Sequence, residues 1–100
     1  MHIAGIGKLE DLKKRHTETE KHLDRWRQIV TEAQWKTPHA IENQFPMARA
    51  LGGGSDRHVF NIMGNKYRLI VRVNFDSSVV EIRFAGTHAE YDKLSDARKV

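Results

Sequence analysis

No cysteine occurs anywhere in the chain, and that absence removes disulfide frameworks, thiolate nucleophiles and cysteine-bound metals together. A reducing cytosol is the compartment such a sequence fits. Long apolar runs are missing too. Nothing approaches the roughly 20 consecutive apolar residues of a membrane-spanning helix, and the opening stretch from Met1 to Gly7 meets charge at Lys8, too early for the apolar core of a secretory signal. The histidines at positions 2, 16, 22, 39, 58 and 88 show no metal-ligand pair spacing and no accompanying carboxylate cluster. Neither a metal nor any other cofactor is therefore expected. The glycine-dense stretch Leu51-Gly52-Gly53-Gly54-Ser55-Asp56 is not followed by a lysine-serine or lysine-threonine pair, so it is a mobile surface loop and not a phosphate-cradling P-loop.

What the chain does contain suffices for one body with a core. Of its 100 residues, 39% are hydrophobic and 8% aromatic, more than disordered chains carry, and the length suits a single domain over residues 1–100. Lys and Arg number 17 against 13 Asp and Glu, for a net charge of +4. That balance favours an anionic partner such as RNA, and the position of the charges decides how much it matters.

His2 to Ala4 reads as a short strand. Leu9 and Leu12 open a helical spacing that runs to His16, and Leu23, Trp26, Val30 and Ala33 recur at three and four residues, the stripe of a second helix lying on the core. Thr37-Pro38 pairs an N-cap residue with a proline at the first helical position, so a short helix is expected over residues 39–43, ended by Phe45-Pro46. Beyond the glycine loop the period changes from helix to strand. Val59 to Ile62, Tyr67 to Val73 and Val79 to Ala85 form a meander that turns at Gly64-Asn65 and at Asp76-Ser77 and is closed by Gly86.

The two turns fix a register. About Gly64-Asn65, Ile62 faces Tyr67, Asn61 faces Arg68, Phe60 faces Leu69 and His58 faces Val71, which puts His58 on the buried side in a structural role. About Asp76-Ser77, Val73 faces Val80, Val71 faces Ile82 and Leu69 faces Phe84, all on the buried side. The other side then carries Asn61, Lys66, Arg68, Arg72, Glu81 and Arg83, with Arg72 across from Glu81, as a basic platform. Thr87-His88-Ala89-Glu90 has capping-box spacing and starts a short helix, which holds His88 and Tyr91 near the end of that platform.

At these residues the chain resembles the HigB toxins, within the RelE superfamily of messenger RNA interferases. The resemblance is carried by Val59-Phe60-Asn61-Ile62, by Gly64-Asn65-Lys66-Tyr67-Arg68-Leu69, by Ile82-Arg83-Phe84 and by Gly86-Thr87-His88-Ala89-Glu90-Tyr91-Asp92. Leu9, His16, Trp26, Trp35 and Phe45-Pro46 extend it over almost the whole chain. Phe75, where tyrosine is more usual, and the triple glycine depart from the pattern. The resemblance implies an α+β, RelE-like fold, with two N-terminal helices packed on a small, mostly antiparallel sheet and a short C-terminal helical turn. It also implies cleavage of messenger RNA on the ribosome in the bacterial cytoplasm, and neutralisation by a cognate antitoxin, often a helix-turn-helix protein.

Metal-independent RNA cleavage needs a base for the 2′-OH, cations for the charge developing on the phosphate, and a proton for the leaving oxygen. Arg83 and Arg68 are candidates for the catalytic cations, because a guanidinium grips two oxygens at once. His88 is a candidate for proton exchange, Tyr91 for stacking a base, orienting the 2′-OH or donating a hydrogen bond, and Glu90 is a further proton acceptor if capping leaves it free. Lys66, Asn61, Arg72 and Lys93 would line the RNA path. The rival reading is a non-catalytic RNA-binding module that uses the same basic face, and a third is a domain that engages only protein.

Overall fold

The amphipathic stripes become helices where their spacing places them. In the computed structural model, which describes residues 1–100, α1 (Ile6–Arg15) buries Leu9 and Leu12, and α2 (Glu20–Glu32) buries Leu23, Trp26 and Val30. Helix α3 (Pro38–Gln44) begins at Thr37, whose side-chain oxygen accepts from the Ala40 N–H, with Pro38 in the first turn where its missing N–H does no harm. No helix is long and apolar enough to cross a membrane.

Five strands, β1 (His2–Ala4), β2 (Arg49–Ala50), β3 (Arg57–Ile62), β4 (Tyr67–Asn74) and β5 (Val79–Thr87), make one sheet in the order β1-β5-β4-β3-β2. Only β1 runs parallel to its neighbour β5. Helix α4 (His88–Asp92) and a final 3-10 turn (Ala97–Lys99) follow. The edge strand β2, a 3-10 turn at Thr17–Thr19 and the final turn have no counterpart in the sequence reading; the rest is the expected α+β, mostly antiparallel architecture.

Seventeen buried residues form the core between the sheet and the first three helices. At its centre the Phe60 ring meets Trp26, Trp35 and Phe45, with centroids 5.5, 6.5 and 5.1 Å away, near the range where aromatic pairs add to simple burial.

The first hairpin keeps the expected register throughout, from Ile62–Tyr67 to His58–Val71. Its turn differs in detail. Pairing stops at Ile62 and Tyr67, and the positive φ angles fall on Met63 and Gly64 in place of Gly64 and Asn65.

The second hairpin is regular for Val73–Val80 and Val71–Ile82, then slips by one residue, so that Ile70 opposes Phe84 and Leu69 opposes Ala85 instead of Phe84. Arg83 is the extra residue, a bulge in β5. The expected burial of Phe84 against the helices is thereby overturned: past the bulge, Phe84 shares the outer face with Arg68 and Ile70. Gly86 does not end the strand, which continues to Thr87. It is there for closeness, because a Cβ at this position would stand 2.8 Å from the Phe84 ring and 2.9 Å from Glu90 Oε1.

Candidate functional site

The bulge delivers two consecutive side chains, Arg83 and Phe84, to the sheet face opposite the helices. Tyr91, on α4, packs there. Its ring lies 6.3 Å from Phe84 in an edge-to-face arrangement, and the Arg68 guanidinium sits 4.6 Å above it, within cation–π range. Arg68 also donates from Nη2 to Asn65 Oδ1 at 2.8 Å. Asn61 pairs with Arg68 across the strands and is half-buried. Arg68, Tyr91, Phe84 and Asn61 are thus gathered in one place.

Helix α4 holds Tyr91 by a complete capping box. Thr87 accepts from the Glu90 N–H while Glu90 accepts from the Thr87 N–H, and this five-residue helix has no buried residue to anchor it otherwise. The Glu90 carboxyl lies below the usual range, first through that backbone N–H and further through Arg15, 3.4 Å away. Glu90 is therefore a capping group, already engaged.

His88 heads the same helix. Its backbone N–H donates to Lys66 O at 3.0 Å, tying α4 to the first hairpin's turn, and its Nδ1 lies 2.8 Å from Asp92 Oδ2. The spacing of i and i+4 puts both on one helix face. The sequence reading assigns Asp92 no role and finds no such histidine pairing, so this carboxylate is a group it missed. The signal was present in the four-residue separation. Lys66 and Lys93 are exposed on either side of α4, in the turn before β4 and at the helix C-terminus.

Arg72 goes elsewhere. Although opposite Glu81 in register, it bonds Asp56 at 2.7 Å, while Glu81 bonds Arg83 at 3.2 Å. Arg72 and Glu81 face each other as the register predicts, but they do not bond, because Asp56, at the end of the glycine loop, offers Arg72 another carboxylate. Burial pushes the Asp56 carboxyl up, but hydrogen bonds from Arg72 and Arg57 outweigh it and leave it acidic.

Nor is the outer face an open platform. The Val100 backbone oxygen accepts from Arg57 Nη2 at 3.0 Å and from Arg83 Nε at 3.2 Å, so the C-terminal segment lies over β4. Arg57 was not singled out in the sequence, since nothing local distinguishes it from the other surface arginines.

On the helix side, Tyr67 is buried and donates to Glu18, with the His16 ring 5.1 Å away. The tyrosine pKa rises and the Glu18 pKa falls through that bond. This cluster fastens the turn between α1 and α2 to β4.

A mostly antiparallel sheet with helices on one face, and with arginines and a capped helical turn on the other, is the RelE-like class of fold. The model of the HigB toxin family, the RelE-like toxic component of a toxin-antitoxin system, matches residues 19–94, and the chain belongs to that family. It is similar to the mRNA interferase HigB of Escherichia coli O6:H1, 25% identical over 95 residues that cover 95% of this chain and 92% of that protein. It is also similar to the mRNA interferase toxin HigB of Escherichia coli K12 and to the mRNA interferase HigB of Shigella flexneri. Each is 27% identical over 92 residues, covering 92% of this chain and 88% of the relative.

Proposed function

We propose that this chain is an mRNA interferase, an endoribonuclease that cleaves messenger RNA on the ribosome without a metal. It works as one domain in the bacterial cytoplasm and is restrained by a cognate antitoxin of helix-turn-helix type. The observation that carries the reading is the stack of Arg68 on Tyr91 beside Phe84, next in the chain to Arg83. It holds a cation and a phenol together on a face of the sheet that the core does not need.

In this reaction the 2′-oxygen forms a bond to phosphorus as the bond to the 5′-oxygen breaks. One proton leaves the 2′-OH and one reaches the departing oxygen, giving a 2′,3′-cyclic phosphate and a 5′-OH. His88 is assigned the first proton: an Nδ1–H donated to Asp92 leaves the Nε2 lone pair free to accept it. Arg83 and Arg68 carry the charge that builds on the phosphate oxygens. With one ring face taken by Arg68, Tyr91 meets the RNA through its hydroxyl, as a hydrogen-bond partner of the sugar or of the leaving oxygen. Lys66, Asn61 and Lys93 contribute contacts along the strand, with Arg72 at its far end.

The test is cleavage of a labelled messenger by the protein with and without ribosomes, alongside growth inhibition in cells. Arg83→Ala and Tyr91→Ala are expected to lose both by about 100-fold or more while circular dichroism stays that of the parent. Full activity in both variants removes them from the site. Undiminished RNA binding with no cleavage by the parent protein favours the non-catalytic module.

A further inference from the structure

We propose that Arg57 joins Arg83 in gripping a backbone phosphate of single-stranded RNA, in a seat that residues 97–100 fill until the RNA displaces them. The proposal deepens the reading of the outer sheet face as the RNA-facing one, and rests on it.

The seat is visible through its present occupant. The Val100 backbone oxygen receives three N–H groups: Arg57 Nε at 3.3 Å, Arg57 Nη2 at 3.0 Å and Arg83 Nε at 3.2 Å. Two full cations thus turn three N–H groups towards a single oxygen. A phosphate group, with several charged oxygens, matches them.

Two guanidinium groups would not converge unaided. Asp56 holds Arg57 from behind at 2.8 Å, and Glu81 holds Arg83 at 3.2 Å. Each carboxylate offsets the repulsion and fixes the direction in which the remaining N–H groups point. The Arg57 side chain is 16% exposed, so the fold keeps it pre-positioned instead of leaving it to sweep through solvent.

The occupant's polar hold on the sheet is confined to that one oxygen. Arg57 stands on β3 and Arg83 on β5, so the segment reaching both crosses β4. Val59 and Ile70 point away from the helices and yet are 1% and 0% exposed, as a cover on that face requires. The polar bonds of the covering segment are otherwise its own: Asp96 takes the Arg98 backbone and side chain, and Lys99 bonds back to Asp96. Arg98 and Lys99 are exposed. Only the Val100 oxygen makes a side-chain hydrogen bond from this turn to the sheet.

Position completes the argument. Arg83 adjoins Phe84, on which Tyr91 packs, so the seat opens towards the Arg68–Tyr91 cluster along the same face. A single strand lying over that cluster would bring a phosphate to Arg57 once the segment lifts.

The experiment uses a labelled single-stranded oligonucleotide with 2′-O-methyl sugars, which cannot be cleaved, so its binding reads the seat independently of catalysis. By fluorescence anisotropy, a chain ended at Asp96 is expected to bind about tenfold more tightly than one ended at Val100. In the shortened chain Arg57→Ala should reverse that gain and lower the slope of log K against log salt by about 0.7, one phosphate contact. In the full chain, titration with the same oligonucleotide should shift the Arg57 and Arg83 Nε–H resonances and the Val100 amide together. If the shortened chain does not fold, this titration decides alone.

An unchanged salt slope, or still resonances at Arg57 and Val100 while Arg68 responds, overturns the seat and leaves the interferase reading standing. The expected shifts in a protein that never cleaves messenger would keep the seat and end the catalytic reading.

Discussion

His58 is 3% exposed, and neither ring nitrogen has a hydrogen-bond partner in the protein. Burial pulls its pKa below the ordinary 6.5, against an opposing pull from Glu42 on α3. An unfolded chain therefore takes up this proton before the folded one does. The stability this site contributes is complete above about 6.5 and is lost as the pH falls from there towards the depressed folded value. Melting at pH 7.5 and 5.5 should show the midpoint fall with acid in the parent, and less of a fall in His58→Leu. Equal falls in both would place the acid sensitivity elsewhere. The burial itself was legible, because His58 faces Val71 in the register that the first turn dictates. The engagement of Asp92 by His88 is equally readable from their four-residue spacing, whereas the grip of Arg57 on Val100 bridges 43 positions and has no local sign.

Among the elements, α4 is the shortest α-helix, and a capping box opens it. Five residues are too few to hold a helix by propagation, and the reciprocal Thr87–Glu90 bonds supply what length does not. Thr87→Ala is expected to cost about 1 kcal/mol, roughly 4–8 °C in melting temperature for a chain of this size, and to reduce cleavage by loosening Tyr91. Thr87→Ser, which can still cap, should keep both; a melt and a cleavage assay on the pair check it. The capping box was plain in the sequence. The bulge at Arg83 was not, because Val80, Ile82 and Phe84 alternate as though the strand were regular. Strand β5 carries apolar residues on both faces, so the pattern could not reveal where the phase changes.

For the whole molecule, the helices and sheet share one aromatic centre, Phe60, touched by Trp26, Trp35 and Phe45 from α2, the segment before α3 and the segment after it. Phe60→Ala should cost about 3–5 kcal/mol, a large part of the roughly 5–15 kcal/mol that holds a domain together. A denaturant titration should show the midpoint drop by that proportion, with all elements unfolding in one transition. Turn chemistry and helical spacing were enough to place four of the five strands and the three longer helices. What lay beyond them was the path of the segment after α4, whose few apolar residues, Leu94, Ala97 and Val100, form no periodic pattern.

Strand β5 is one residue longer than its neighbour requires, and that surplus residue is Arg83. Excising it would join Ile82 directly to Phe84 and straighten the ladder, with Phe84 still turned towards Tyr91. The architecture can thus spare the very position that bears the charge, and a deletion there is the cleanest way to ask for the scaffold without its chemistry.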